Sequence, residues 1–457
     1  MPRRVIASNS MRAGRLVRPA RLSLCAAAAL AAVSAAVPAQ AAEFPIAAAA
    51  LAQPFGGQSV ADFYATRDHR PLWLKDGSGA AMVLLDLLRT ADADGLDPTR
   101  YPVGELSRAV RSAWGGSAAQ LRQADRMLSE AFVAYVRDLK RTPQVPIVWV
   151  DPTLKPSAPN PRALLEAADK APDLERWLTD MRFMNPIYAR LRNAIARGEG
   201  GDPRLLRLNL ERARALPSGP GRFILVNATA QRLTMYENGE PVDSMKVVVG
   251  KPETQTPLYA GYVRYAILNP YWNVPDNLVS DRIAANVLSR GPAYLRAARY
   301  EVLADWSSEP ARLDPAKVDW RQVAAGANAL RVRQLPGADN AMGKIKFEFP
   351  NPLGIYLHDT PEKHLMLKEQ RQFSNGCVRL EDAERLGRWL FQGPLPSAGS
   401  EPEQRVDLPQ IVPIYITYLT AHPVGGTIAR GPDPYKRDVG ARLAVASPEG
   451  NSNAVAR

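Results

Sequence analysis

From about residue 55 to residue 215 the apolar positions recur at spacings of three and four, the period of helices with one buried face. In LRQADRMLSEAFVAYVRDL, Leu121, Ala124, Leu128, Ala131, Tyr135 and Leu139 line one such face. MVLLDLLRTADADGLDP predicts a second helix from Met82 to about Ala93, stopped near Gly95 and Pro98. Thr142 to Pro161 is proline-rich and irregular. DLERWLTDMRFMNPIYARLRNAIARG reads as helix over Asp173 to Gly198. A Gly/Asp break, Gly198 to Asp202, separates it from RLLRLNLERARAL.

At Arg222 the period changes. RFILVNATAQRLTMYENGEPVDSMKVVVG is rich in β-branched and aromatic residues, with Asn238-Gly239 between two runs, the signature of a hairpin. GYVRYAILNPYWNVP reads as strand up to Pro275. Residues 276–342 lean towards helix. Strand character resumes at KIKFEF, GIYLH and IVPIYITYLTA, while EDAERLGRWLF reads as a helix. The expected fold class is therefore α+β: a helical N-terminal domain over 55–215, then a β-rich domain over 220–437 with 276–342 inserted as a helical lid or capping subdomain. The chain beyond about Tyr435 is rich in Gly, Pro, Ser and Asn, and 438–457 reads as a flexible tail.

Composition adds a compartment. Residues 1–21 carry six arginines and no acid, a short Ala/Leu/Val run follows, and AQAAEF supplies small residues before a cut. This is the order of a secretory signal, expected over 1–41, and it implies an exported protein. Removing it would lower the formal charge of +12 by those six arginines. The remaining basic excess suits an anionic wall or membrane surface. No Lys/Arg cluster sits among aromatics, so nucleic acid is not an expected partner.

The chain has two cysteines, and Cys25 would leave with the signal. A lone cysteine in an oxidising compartment, here Cys377, is buried, paired between chains, or a working thiol. Its surroundings favour the last. It stands in FSNGCVRL, and His358 stands nineteen residues earlier in YLHDTP, after the strand-like GIYL. A thiol nucleophile needs a base and donors for an oxyanion. Placed just before EDAERLGRWLF, Cys377 is expected near a helix N-terminus, which lowers a thiol's pKa. Gly376 allows close approach, and its N–H with that of Cys377 is a candidate oxyanion pair. Tyr356 shares a strand face with His358, either as pocket wall and oxyanion donor or as a core aromatic. Asp359 is placed to orient the imidazole or to shape the loop. Arg379 either binds a substrate carboxylate or ties down the loop. Ser374 reads as a turn residue. His364 is the competing base. No metal-ligand spacing is present, and no metal or cofactor is expected.

The set YLHDTP…FSNGCVRL resembles the YkuD-like L,D-transpeptidase catalytic domain. Ser374, Gly376, Cys377 and Arg379 fit the family's Ser-x-Gly-Cys-x-Arg pattern, and RQLPGADNAMGKIKFEFPN and YITYLTA fit its flanks. DFYATRDHRPLW and DADGLDPTRY resemble the helical scaffold domain of the large periplasmic members, so the likeness runs from about residue 58 to 437. Asn375 stands where many members have His, and only RGEGGDPR separates the last two helical stretches where those members usually carry a peptidoglycan-binding module.

The resemblance implies that Cys377 is the nucleophile, that His358 is the base, and that a backbone carbonyl beside the histidine orients it. It implies peptidoglycan stem peptides as partners: a tetrapeptide donor whose third residue acylates the thiol as the terminal D-alanine leaves, and a third-residue amine as acceptor. Other wall-synthesis proteins are further candidate partners. Water as acceptor would give an L,D-carboxypeptidase or hydrolase, and a dead site would leave a wall-binding scaffold.

Overall fold

The computed structural model describes residues 57–439 except Asp76 and Ser308; the expected signal segment lies outside the described residues. The helical part comprises α1 (Gly57–Ala65), α2 (Gly79–Arg89), α3 (Val103–Ala113) and α4 (Ala118–Leu139). A short strand β1 (Val148–Trp149) follows, then α5 (Pro161–Asp169), α6 (Leu174–Thr179), α7 (Pro186–Ala196) and α8 (Pro203–Ala213). Three of these begin on an Asn/Asp-Pro pair. Asn160, Asn185 and Asp202 each accept a hydrogen bond from a first-turn N–H, while proline at the first helical position gives up a donor that had no partner. That device splits the stretch expected as one helix from Asp173 to Gly198. Met181 takes a left-handed φ of 48°, and Asn185-Pro186 starts α7 afresh.

The β-rich part opens with β2 (Arg222–Asn227), β3 (Arg232–Glu237), β4 (Glu240–Gly250) and β5 (Tyr259–Leu268). Asn238 and Gly239 both have positive φ, as the hairpin signal required. Strand β6 (Trp272–Asn273), a helical run from Asp276 to Arg290, the helix Ala293–Ala297, β7 (Tyr300–Leu303), the helix Trp320–Ala324 and β8 (Arg331–Gln334) form the insertion. The insertion is not purely helical: β6, β8 and β7 make a three-stranded sheet over its own apolar core, which reaches from Trp272 to Met342. It therefore starts a few residues before the expected boundary at 276, because β6 pairs with β8.

The chain returns through β9 (Ile345–Glu348), β10 (Leu357–His358), β11 (Gln372–Ser374), β12 (Val378–Leu380), a helix Ala383–Phe391, β13 (Gln404–Thr417), β14 (Ala421–Val424) and β15 (Thr427–Arg430). The main sheet runs β5-β13-β2-β3-β4-β12-β10-β9, and β9 pairs back onto β5, closing a ring of eight strands. Ile224, Val226, Val247, Leu357, Val378 and Leu380 face its interior, with Leu386 and Leu390 of the following helix. Alternate residues of β2, Phe223 and Leu225, face outward into a second cluster with Tyr415 and the helical part's Trp149 and Ile187. Burial on both faces explains the unbroken apolar run FILV.

The helical part and the ring are joined rather than strung together. β1 extends the sheet in parallel with β5, and Leu419 and Ala421 pack into the helical core. Two carboxylates organise that core. Asp125 accepts the backbone N–H groups of Leu72, Trp73 and Leu74 at 2.7–3.0 Å and the Tyr64 hydroxyl. Asp94 of DADGLDP takes the hydroxyls of Tyr135 and Tyr188 at 2.8 and 2.9 Å and the Arg192 guanidinium at 3.2 Å. The tail expected to be loose from Tyr435 is held through Asp438: Tyr435 is buried, and Asp438 pairs with Arg212 of α8 at 2.7 Å.

Candidate active site

β10 and β12 run parallel, with Leu357 opposite Val378 and His358 opposite Arg379. Leu357, Val378 and Leu380 point into the ring core. Strand alternation then turns Tyr356, His358 and Arg379 to the outer face, with Cys377 at its start. The two strands, nineteen residues apart in sequence, thus bring the expected nucleophile, base, tyrosine and arginine to one surface.

His358 is buried, and its Nδ1 lies 2.6 Å from the carbonyl oxygen of Asp359. A carbonyl only accepts, so Nδ1 carries the proton and Nε2 is left as a bare acceptor. Burial, with the Arg379 charge beside it, pushes the imidazole down to about 3. The ring therefore stays neutral across the physiological range, able to receive a proton. The carboxylate of Asp359 faces elsewhere: it takes the Lys344 N–H at 3.0 Å and the Lys363 ammonium at 2.7 Å. Of the two roles open to Asp359 in the sequence, the loop-shaping one is realised, and its backbone orients the histidine.

The thiol departs from expectation. β12 intervenes between Cys377 and the helix at Ala383, so no helix N-terminus faces the sulfur. Burial pushes its pKa up to about 11, against the opposing pull of the Tyr356 backbone and phenol and of Arg379. The resting pair is thus a neutral thiol and a neutral imidazole.

The turn carrying Cys377 is tightly held. Gly376 has φ 116°, and a Cβ there would meet Ile355 Cδ1 at 3.1 Å, so only glycine fits without strain. Ser374, buried, donates through Oγ to the Cys377 carbonyl at 2.6 Å and accepts the Gly376 N–H at 3.2 Å. Ser374 thus bridges the two ends of the turn. It also removes Gly376 N–H from the expected oxyanion pair, while the Cys377 N–H has no partner among the described residues. Asn375 is exposed beside the turn.

Tyr356 lies between the insertion and the thiol. It packs partly buried against the insertion's core and its phenol reaches the Cys377 side chain, which, with burial, raises its own pKa. Arg379 pairs with Glu362 in the loop after His358, while its Nε is buried without a partner. Neither Glu362 nor Thr256, which donates to the Gly376 carbonyl at 2.8 Å, was singled out from the sequence. Both partnerships join segments that carry no shared local pattern. His364 sits exposed on a 3-10 turn, Lys363–Leu367, outside this cluster. A cavity of about 630 Å³ opens behind the Asp359 loop, lined by Asn269, Gly337, Lys363 and Glu384 and not by the thiol. Among the described residues no cluster of three or more His, Cys, Asp or Glu is placed to hold a metal, and no helix is long and apolar enough to cross a membrane.

Residues 221–395 match the L,D-transpeptidase catalytic domain, YkuD, and residues 58–195 match the Scaffold domain. The chain carries a YkuD-family L,D-transpeptidase catalytic domain. The match closes before β13, with eight residues between them, yet β13 supplies the ring's longest strand. Between the Scaffold domain and the L,D-transpeptidase domain lie a glycine-rich turn, α8 and a short irregular segment, 214–220. A Haemophilus influenzae protein, itself only provisionally assigned as an L,D-transpeptidase, is 25% identical over 83% of this chain and 78% of its own length. Solved L,D-transpeptidases from Mycobacterium smegmatis and Mycobacterium tuberculosis are similar at 13% and 12% identity. Each is aligned over 44% of this chain, with TM-scores of 0.22 and 0.20. The chain spans about three-fifths of the length of those solved structures, 59% and 63%.

Proposed function

We propose that the protein is an exported, periplasmic peptidoglycan L,D-transpeptidase that cross-links third residues of stem peptides through a thioester on Cys377. The observation that carries this reading is the in-register pairing of β10 and β12, which gives Tyr356, His358, Cys377 and Arg379 one common surface. His358 Nε2 takes the thiol proton as sulfur adds to the carbonyl carbon of the third stem residue. The tetrahedral oxyanion meets the Cys377 N–H, with the Tyr356 hydroxyl as second donor. The imidazolium then protonates the departing D-alanine nitrogen, the C–N bond breaks, and a thioester remains. An amine from the third residue of a neighbouring stem adds to that thioester, gives its proton to His358 and expels the thiolate, which is reprotonated.

Arg379 lies beside the base and carries the charge to hold a stem carboxylate. The insertion, touching the site through Tyr356, acts as the lid that keeps water from the thioester. Intact mass spectrometry after incubation with a tetrapeptide stem, and separately with a carbapenem, tests the reading. A covalent adduct at Cys377 with each supports it, and cross-linked dimer on adding acceptor stem completes it. Release of tripeptide alone would reassign the enzyme as an L,D-carboxypeptidase, and absence of either adduct would leave a wall-binding scaffold.

A further inference from the structure

The segment Asp433–Asp438 lies far along the chain from the thiol, yet a continuous hydrogen-bonded path joins them. Thr256 is fully buried; its hydroxyl accepts the Gly250 N–H at 2.8 Å and donates to the Gly376 carbonyl at 2.8 Å. With the acceptor role filled by Gly250, the single hydroxyl proton is committed to Gly376. The loop that carries Thr256 is itself gripped. The Tyr435 hydroxyl donates to the Gly250 carbonyl at 2.6 Å and accepts the Thr256 N–H at 3.4 Å. Arg437, between the rings of Tyr418 and Tyr435, donates to the Gln255 side chain at 2.9 Å and the Thr256 carbonyl at 3.2 Å. From there Arg212 of α8 donates to the Arg437 carbonyl at 3.1 Å and to the Asp438 carboxylate at 2.7 Å.

The peptide at the end of this path is Gly376–Cys377. A trans peptide is planar, so its C=O and N–H point in opposite directions. Fixing the Gly376 oxygen on Thr256 therefore aims the Cys377 N–H away from the loop and towards the outer face. Gly376 needs such a fix more than other residues would, since glycine by itself restrains the peptide least. Ser374 holds the peptides on either side of this one, through Gly376 N–H and the Cys377 carbonyl, and leaves its plane to Thr256.

We infer that Thr256 is a positioning residue for the nucleophile's oxyanion-donor peptide, and that Tyr435 and Arg437 hold it there, tying α8 to the reactivity of the site. The inference rests on Cys377 as the acylated thiol. Its test compares two chemistries at that thiol in the full chain: acylation by a carbapenem, which develops an oxyanion, and alkylation by iodoacetamide, which does not. Thr256→Val removes the hydroxyl and keeps the shape; it is expected to slow acylation by about 100-fold, as a misaimed donor does. Alkylation should change little, the melting temperature should fall modestly because the buried Gly250 N–H and Gly376 carbonyl lose their partner, and Thr256→Ser should restore both acylation and stability. Tyr435→Phe and Arg437→Met are expected to give a smaller loss of the same kind. Unchanged acylation in Thr256→Val overturns the inference. Equal loss of acylation, alkylation and thermal stability overturns it too, since Thr256 would then be purely structural. Failure of the parent reading looks different: Cys377→Ser would still form the carbapenem adduct.

Discussion

Two buried polar clusters behave in opposite ways. In the helical core, Asp94 and Asp125 are surrounded by donors: three backbone N–H groups and a phenol fill Asp125, and two phenols and a guanidinium hold Asp94. On the outer face of the ring, among the described residues, His358 Nε2 and the Cys377 N–H have no partner and the Arg379 Nε is buried unpaired. Both clusters are desolvated, and both hold groups with displaced pKa. The lesson is that burial and a perturbed pKa do not by themselves mark chemistry. A buried polar group whose partners are complete stabilises the fold, whereas one with a directed vacancy can receive a substrate.

The sharpest way to break this contrast is to remove the thiol. Cys377→Ser is expected to fold and to lose stem acylation entirely, because an alcohol is a far weaker nucleophile without strong base help. Residual cross-linking by the pure variant would remove the nucleophile assignment. His358→Ala should cut acylation by about 100-fold or more, the usual worth of a positioned base. His364→Ala should be silent, and a reversal of the two would reassign the base.

The helical cluster should fail in the other currency. Asp125→Ala strands the N–H groups of Leu72, Trp73 and Leu74, at a cost of about 3 kcal/mol in unfolding free energy. Acylation per folded molecule should stay at the parent level in denaturant-monitored preparations. A stable variant that had lost acylation would erase the distinction between the two regions.

The pH dependence sharpens it further. With the thiol raised to about 11, iodoacetamide alkylation should climb with pH through 8, 9 and 10 without a plateau near neutrality. With the imidazole lowered to about 3, acylation should show no loss of base between pH 7 and 5. An alkylation plateau below pH 8 would mean a resting thiolate–imidazolium pair instead. The smallest effect expected is on the wall itself. Binding of the protein to isolated sacculi should be weak and fall with salt, since exposed charges are screened beyond about 8–10 Å at moderate ionic strength. Tight, salt-resistant binding by the helical part would reveal a wall-binding site within it.

The amino-acid pattern alone determined the alternation of a helical and a strand-rich half, the Asn238-Gly239 hairpin, and the candidate thiol and histidine. These are local: a period, a turn dipeptide, a motif with its spacing. The split of the Asp173–Gly198 stretch was equally local, in Asn185-Pro186, but the apolar period on both sides concealed it. Tertiary structure decided the rest. Ring closure by β5 and β9, the register that sets His358 against Arg379, and the anchoring of Tyr435 and Asp438 all join segments far apart in sequence. Even the sign of the thiol's shift was decided there. The helix after Cys377 suggested a lowered pKa from local order, but desolvation sums over everything packed around the sulfur, and that sum exists only once the chain has folded.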